Sequence, residues 1–310
     1  MCMFSMPGKS HRGPLPPLSE SQARLSQQLR VDVQSLAGRI GERNIWHPEG
    51  YARAAELIEQ RLTAAGYAVR RQEFRVSDSL CVNIEAAAPG TLRPQEIVII
   101  GAHYDSVHGT VGANDNATGV AALLAMAESL RGQDPTRTLR FVAFANEEPP
   151  FFQSERMGSV VYAQACRAQR ENITAMVSLD GLGYYSDEPG SQEYPPPLNL
   201  LYPSTGNFIG FVGNFGSLAL VQRCIGAFRR HTQFPSEAGV APELVTGVGW
   251  SDHWSFWQSG YKAIMVTDSL PFRYPHYHTT RDTPDKIDYQ RLARVVEGLI
   301  GMTRELAGIE

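Results

Sequence analysis

Two stretches decide the fold: IVIIGAHYDS at residues 97–106 and GANDNATG at residues 112–119. The apolar run 97–100 is typical of a strand that is buried on both faces. The second stretch leads into an apolar segment over residues 117–130, which predicts a helix with Asn116 at its N-cap. The sequence therefore predicts a buried strand, a short glycine-bearing loop and a helix in direct succession.

A histidine and two carboxylates stand at this junction. His103 and Asp105 follow the strand, and Asp115 directly precedes the helix. Open α/β sheets place their sites at the carboxyl ends of strands, and imidazole with carboxylate suits zinc. Asp105 lies on the same side of an extended segment as His103, so it can accept the imidazole N–H and fix its tautomer. On these residues alone, a metal site and an ordinary polar strand end both stay open.

Two more predicted strands end in carboxylates. The strand over residues 138–145 is followed by Glu147 and Glu148, and the strand over residues 173–179 ends at Asp180. Neighbouring side chains of an extended chain point to opposite faces. One glutamate can therefore bind a metal while the other faces a substrate or water, and a solvated loop entry is the alternative.

The remaining pattern alternates helices with strands. Further helices are predicted after the Ser19 capping box and over residues 50–65, 157–169, 217–230 and 289–306, and further strands over residues 67–76, 81–86, near 198, 208–212 and 262–267. This alternation predicts an α/β fold, a mixed and mostly parallel twisted sheet with helices on both faces. No repeat or linker divides residues 19–310, so we expect one domain after a flexible Pro/Gly-rich lead-in at residues 1–18.

Composition excludes several classes of function. A net charge of −4 without a basic cluster argues against nucleic acid as a partner. The four cysteines are scattered and form no Cys-x-x-Cys pair, which predicts neither a zinc knuckle nor a disulfide framework. No membrane segment or signal peptide is predicted. The chain as written is expected in the cytoplasm, and export or membrane anchoring stays open if the true start lies upstream.

Five metal-ligand candidates come from separate strand ends. They are His103, Asp115, Glu148, Asp180 and one of His276 or His278. With one bridging carboxylate, five ligands can hold two zinc ions about 3.5–4 Å apart, as in two-metal hydrolases.

Six motifs, in order, carry a resemblance to a known family. They are His103-Tyr-Asp105-Ser, Gly112 to Gly119, Glu147-Glu148, Leu179-Asp180, Ser251-Asp252-His253 and His278-Thr-x-x-Asp282-Thr283. In these motifs the chain resembles the di-zinc aminopeptidases, a family that also contains the glutaminyl cyclases, from about residue 50 onward. The resemblance implies a three-layer zinc-exopeptidase fold and hydrolysis of the N-terminal bond of small peptides.

The resemblance also implies the ligand set. Two divalent ions are expected, with Asp115 as the bridge between them. Zinc is the expected metal, and cobalt and manganese stay open. His103 and Asp180 would complete one metal site, and Glu148 and His278 the other. His278 is preferred to His276 because the family's closing motif has His-Thr followed by Asp-Thr.

Catalytic roles follow from the same resemblance. A metal-bound hydroxide would attack the scissile carbonyl, and Glu147 would act as the general base that passes the proton to the leaving amine. Tyr277 would stabilise the oxyanion, with a packing tyrosine as the alternative. Asp252 would bind the substrate amine and His253 would shape the pocket, and core packing is the alternative for both.

One departure from the aminopeptidase pattern keeps other functions open. Residues 149–157 intervene between the glutamate pair and Gly158-Ser159, and this longer loop resembles the glutaminyl cyclases, which work with one zinc. Asn116-Ala-Thr-Gly119 looks more like the peptidases, so an aminopeptidase is the prediction. The alternatives are a glutaminyl cyclase-like acyltransferase that forms N-terminal pyroglutamate and a metal-free binding module on the same fold. The sequence leaves the oligomeric state undetermined.

Overall fold

A computed structural model describes residues 5–196 and 198–310. Its strands are β1 (Val69–Val76), β2 (Ser79–Ala88), β3 (Arg93–His103), β4 (Arg137–Phe144), β5 (Asn172–Leu179), β6 (Ile209–Gly213), β7 (Ser236–Val240) and β8 (Ala263–Thr267). Its α-helices are α1 (Glu20–Val33), α2 (Pro48–Ala64), α3 (Thr118–Ser129), α4 (Gly158–Ala168), α5 (Leu218–His231), α6 (His253–Gln258), α7 (Leu270–Arg273) and α8 (Tyr289–Ala307).

The strands form a single mixed sheet in the order β1-β2-β4-β3-β5-β8-β6-β7. The central strands β4, β3, β5 and β8 are parallel, while β2 runs antiparallel to β4 and β6 antiparallel to β8. The predicted α/β class with a mixed sheet is confirmed. Because the parallel strands end at one edge, the residues that follow β3, β4 and β5 come together there.

The run in β3 is buried on both faces, as its composition predicted. Ile97 and Ile99 pack into a core with α4 and α6, while Val98 and Ile100 pack into the larger core with α1, α2, α3, α5 and α8. The two cores also confirm that helices cover both faces of the sheet. Gly101 interrupts the run because a Cβ there would lie 2.4 Å from the Phe144 ring.

Most predicted elements are confirmed to within a few residues. Ser19 caps α1 as expected: its hydroxyl accepts from the Gln22 N–H at 3.1 Å, and its own N–H donates to the Gln22 side chain at 3.0 Å. The strand predicted near Leu198 is wrong, since residues 198–200 form a 3₁₀ turn. Its leucines do not alternate inward, and Leu200 is 81% exposed.

Among the strands and α-helices of the described residues, three were not predicted. They are the edge strand β7 and the short helices α6 and α7. β7 has only five residues, two of them alanine and glycine, which carry little strand propensity. The two helices have six and four residues, too few for a 3.6-residue period to show.

The described part of the lead-in packs along the surface of the domain. The Ser10 hydroxyl accepts from the Ser236 N–H at 2.9 Å, and Arg229 donates to the Pro7 carbonyl at 3.0 Å. Arg294 donates to the Pro16 carbonyl. The first four residues of the predicted lead-in lie outside the described residues. Across residues 5–196 and 198–310, none of the helices combines the length and apolar character needed to cross a membrane.

Candidate active site

The predicted ligands converge at the carboxyl edge of the sheet. β4, β3 and β5 are neighbours, so the glutamate pair after β4, His103 at the end of β3 and Asp180 after β5 face one another. Asp115 reaches them from the turn before α3, and His278 from the loop after α7. All five are brought together, although they span the chain from residue 103 to residue 278.

Asp115 lies between the two histidines. Its Oδ1 is 3.3 Å from His103 Nε2, and its Oδ2 is 3.2 Å from His278 Nε2. On the outer sides, Asp180 Oδ1 is 3.5 Å from His103 Nε2, and Glu148 Oε2 is 3.1 Å from His278 Nε2. The Nε2 atom of each imidazole thus faces the shared Asp115 carboxylate and one further carboxylate, Asp180 for His103 and Glu148 for His278. One bridging ligand and two flanking ligands require this arrangement.

The donors of this cluster fit divalent metal ions. Both ring nitrogens of His103, Asp180 Oδ1 and His278 Nε2 are buried, and in the described part of the chain they have no hydrogen-bond partner. Buried polar atoms without partners are costly. Imidazole nitrogen and carboxylate oxygen are the donors that zinc takes in catalytic sites, so a metal ion would satisfy these atoms.

The charge balance of the cluster also favours divalent cations. Burial and the nearby Asp115 carboxylate raise the pKa of Glu148 to about 8, although His278 lowers it. Burial lowers the pKa of His278, but Asp115 and Glu148 outweigh burial and raise it to about 10. Burial would raise the pKa of Asp115, yet His103 and His278 hold it below its usual value. The carboxylates outnumber the imidazoles, and divalent cations would neutralise the excess negative charge.

Asp105 holds the glutamate pair in place. Its Oδ1 accepts from the Glu147 N–H and its Oδ2 from the Glu148 N–H, both at 3.0 Å. Oδ1 is also 3.5 Å from His103 Nδ1. The carboxylate therefore fixes the backbone of both glutamates and lies beside the imidazole that it was predicted to orient.

Asp282 fixes the backbone that carries Asp115. Its Oδ1 accepts from the Asn114 N–H and the Tyr274 hydroxyl, both at 2.8 Å, and its Oδ2 accepts from the Asp115 N–H at 3.1 Å. Asp282 belongs to the closing motif, but no role was predicted for it. Its place in that motif was the signal that could have identified it.

No sequence pattern predicted a role for Arg43 at this site. It is fully buried, and its guanidinium donates to the carbonyls of Tyr104, Val111 and Gly112 at 2.8, 2.6 and 3.0 Å. Burial lowers its pKa to about 10, and nearby carboxylates, Asp105 first, raise it. Arg43 thereby ties down the loop between His103 and Asp115. A single arginine in a stretch without a pattern gives no sequence signal for this role.

The neighbouring residues Tyr277 and His276 have different surroundings. Tyr277 lines the cavity beside the cluster, and its ring stacks on His278 with centroids 3.8 Å apart. His276 packs edge-on against Tyr274 at 5.4 Å. This placement agrees with the choice of His278 as the candidate ligand.

Asp252 and His253 do not line the cavity. Both are fully buried, and burial raises the pKa of Asp252 to about 7. His253 Nε2 is 2.8 Å from the Val248 carbonyl, and its ring packs against Trp257 at 4.5 Å. His253 therefore acts on the pocket through Val248, which does line the wall, and binding of the substrate amine by Asp252 stays a prediction.

A cavity of about 390 Å³ opens from the cluster. Its walls are mostly apolar and aromatic, and they include Phe152, Leu198, Tyr202, Phe208, Phe211, Val240, Val248, Trp250, Leu270 and Phe272. Glu147, Glu148, Asp115 and Asp180 lie at its inner end. An apolar cleft that ends in a few convergent polar groups is typical of a substrate site.

Comparison with known proteins identifies a matching family and a similar sequence. Residues 83–303 match the family described as Peptidase family M28. A protein of Escherichia coli strain K12, YfbL, described as uncharacterized, is 36% identical over 283 residues, or 88% of this chain and 86% of that protein.

Solved structures share the fold. A zinc aminopeptidase from Bacillus subtilis has a TM-score of 0.72 at 15% identity, covering 92% of this chain and 95% of that one. Fimbriiglobus ruber glutaminyl cyclase has a TM-score of 0.66 at 22% identity, covering 96% of this chain and 98% of that one. Because the family match extends over more than two thirds of the chain, the resemblance drawn from the motifs is confirmed, and the protein belongs to peptidase family M28.

Proposed function

We propose that the protein is a metal-dependent aminopeptidase that removes the N-terminal residue of small peptides. The observation that carries this proposal is the placement of Asp115, with one carboxylate oxygen 3.3 Å from His103 Nε2 and the other 3.2 Å from His278 Nε2. Asp180 and Glu148 flank the pair. These five residues would hold two divalent ions, and their donor types favour zinc.

Ions held there would polarise a scissile carbonyl and increase the acidity of a water molecule. Glu147 lines the inner end of the cavity, and its Oε2 is 3.9 Å from His103 Nε2. Burial raises the pKa of Glu147 well above its ordinary value, although the His103 charge opposes this. Glu147 would take the proton from the attacking water and deliver it to the leaving amine.

Two further interactions complete the proposed site. The Tyr277 hydroxyl would donate to the charge that develops on the carbonyl oxygen. The carboxylate of Glu147, which is not a proposed metal ligand, would attract the free amine of a peptide, since unlike charges attract strongly in a low-dielectric site. An N-acylated peptide has no such charge, so the site should reject it.

The decisive experiment uses matched peptides. We expect the protein to release the first residue of unblocked dipeptides and to leave their N-acetyl counterparts uncut. A chelator should abolish the activity, and added zinc should restore it. Equal cleavage of blocked and unblocked peptides would contradict an aminopeptidase, and activity that is indifferent to chelation would contradict the metal centre.

A glutaminyl cyclase is the second candidate. The longer loop after the glutamate pair supplies Pro149 and Phe152 to the cavity wall, and a glutaminyl cyclase is among the structures with the same fold. A peptide that begins with glutamine separates the two activities. Cyclisation releases ammonia and keeps the peptide length, whereas hydrolysis releases free glutamine.

One carboxylate in the cavity bears on the choice of substrate. Leu179 pairs with Val266, so the next residues, Asp180 and Thr267, are neighbours at the sheet edge. Thr267 pairs with Gly210, which pairs with Glu237. Three strand spacings place the Cα atom of Glu237 about 14 Å from that of Asp180. The four residues of this row, Asp180, Thr267, Gly210 and Glu237, all line the cavity.

Glu237 is suited to a cationic side chain. It has no hydrogen-bond or ion-pair partner within residues 5–196 and 198–310, and burial raises its pKa although Arg229 and Arg12 lower it. Hydrogen bonds to charged groups contribute about 1.5–3 kcal/mol. We expect Glu237→Gln to lower kcat/KM for peptides that begin with arginine or lysine by about tenfold or more. Leucine peptides serve as the control, and an equal loss on both would contradict this role.

A further inference from the structure

A second group of imidazole and carboxylate donors lies outside the candidate active site. Glu42 Oε1 is 3.1 Å from His47 Nδ1 and 3.2 Å from His108 Nδ1. The three donor atoms lie within 4.8 Å of one another. The Glu42 side chain is only 16% exposed, whereas those of His47 and His108 are 50% and 64% exposed. A small ion could therefore reach the group from solvent.

The spacing of this group repeats the spacing of the candidate active site. There, imidazole nitrogens lie 3.1–3.5 Å from the carboxylate oxygens that they face. A tetrahedral zinc with bonds of about 2.0–2.1 Å keeps its donors about 3.3 Å apart. Both distances from Glu42 Oε1 are close to that separation.

Hydrogen bonds to Glu42 determine how the two imidazoles can interact with it. Oε1 accepts from the Asn44 side chain at 2.8 Å and from the Gly109 N–H at 2.7 Å. As N–H donors, the two Nδ1 atoms would crowd an oxygen that already accepts these two hydrogen bonds. As acceptors, they would turn their lone pairs toward a negative oxygen. A cation among the three groups removes both conflicts.

The same hydrogen bonds preorganise the carboxylate. Metal-binding carboxylates and imidazoles are held by further hydrogen bonds that fix their orientation. Asn44 and Gly109 hold Glu42 in this way, on the two segments that also carry the histidines. In the described residues Oε2 of Glu42 accepts no hydrogen bond, which leaves it available to an ion.

We propose that Glu42, His47 and His108 form a separate site for a divalent metal ion, with zinc as the best match to two imidazoles and a carboxylate. The ion would join the segment before α2 to the loop after β3. Three protein donors leave a fourth position for water.

The proposed site borders the candidate active site. The N–H of Val107, next to His108, donates to Glu148 Oε1 at 3.1 Å. Trp46, next to His47, packs edge-on against His108 at 5.2 Å and stacks on Phe151 at 6.0 Å. An ion bound between the two segments would therefore hold Val107 against Glu148 and Trp46 against Phe151 of the following loop.

The test compares zinc binding by the full-length wild-type protein and the His47→Ala/His108→Ala variant. Both are stripped with a chelator, dialysed and titrated with zinc chloride alone, and bound zinc is counted by elemental analysis and calorimetry. We expect the wild type to bind one more zinc per chain than the variant. Equal stoichiometry in the two proteins overturns the proposal.

A matched control excludes nonspecific binding to an exposed histidine. His231 also faces a carboxylate, with its Nε2 2.8 Å from Glu305 Oε1, but within residues 5–196 and 198–310 it belongs to no group of three metal-binding side chains. We expect His231→Ala to keep the full zinc stoichiometry. If His231→Ala loses as much zinc as the double variant, the binding is nonspecific and the proposal fails.

A second readout guards against a folding defect in the double variant. Zinc should protect His47 and His108 of the wild type from ethoxycarbonylation by diethyl pyrocarbonate, scored by mass spectrometry, while His231 stays reactive. Unchanged reactivity of His47 and His108 overturns the proposal. Both readouts measure metal rather than peptide cleavage, so the site stands or falls independently of the proposed aminopeptidase activity.

Discussion

Replacing Glu147 with glutamine is expected to lower kcat for peptide cleavage by a factor between about 10² and 10⁴. Glutamine keeps the shape of the side chain and the backbone N–H that donates to Asp105, but it cannot accept and return a proton. The variant should keep the metal content of the wild type, because Glu147 is not among the proposed ligands. Steady-state kinetics on an unblocked dipeptide and elemental analysis of the same sample measure both quantities.

Glu155→Gln is the matched control. Glu155 belongs to the loop that follows the glutamate pair, and its side chain is exposed. We expect this variant to retain wild-type kcat and metal content. Undiminished turnover by Glu147→Gln would remove Glu147 from the proposed role, whereas loss of turnover together with metal would mean that the side chain acts as a ligand.

The second large effect is expected for Asp115→Ala. Removing the carboxylate that lies between His103 and His278 deletes one donor from each proposed metal site at once. We expect the variant to lose most of its bound zinc and to cleave peptides at the background rate. Asp115→Asn keeps the shape of the residue and should show the same losses, which separates missing ligand charge from a packing defect.

Thermal unfolding provides an independent measurement on Asp115→Ala. A ligand at a hundredfold excess over its Kd stabilises the native state by about 2.7 kcal/mol, which for a chain of this size raises Tm by about 4 °C. We expect added zinc to raise the Tm of the wild type and of the control Asp134→Ala, an exposed loop residue. Asp115→Ala should show a much smaller shift, and an equal shift in all three proteins would contradict the bridging role.

The sequence predicted the centre of the fold because that part depends on local patterns. A continuous apolar run, as in Ile97 to Ile100, identifies a buried strand whatever surrounds it. A carboxylate or histidine directly after such a strand identifies the edge where a site forms. The candidate ligands could therefore be named before the structure, and the structure brings them together.

The roles of residues that act through the backbone could not be read from local patterns, even where, as for Asp282, the residue stands in a motif. Arg43 donates to carbonyls 61 to 69 residues away, and Asp282 accepts from N–H groups 167 and 168 residues away. Contacts of this kind depend on tertiary structure and not on periodicity or spacing. The same limit applies to the Ser251-Asp252-His253 motif: its residue types suggested a substrate site, but only the fold shows that Asp252 and His253 are buried and do not line the cavity.

The proposed metal donors come from distant parts of the chain, so metal binding would depend on whether the chain is intact. Cleavage of the chain between residues 183 and 197 would leave four of the proposed donors, His103, Asp115, Glu148 and Asp180, on one fragment and His278 on the other. The central strands come from both fragments, since β8 pairs with β5. Zinc would then join two separate polypeptides, and a chelator would promote their dissociation. A nicked but active preparation should therefore lose its activity on dilution into chelator, and it should not regain it when zinc returns at low protein concentration.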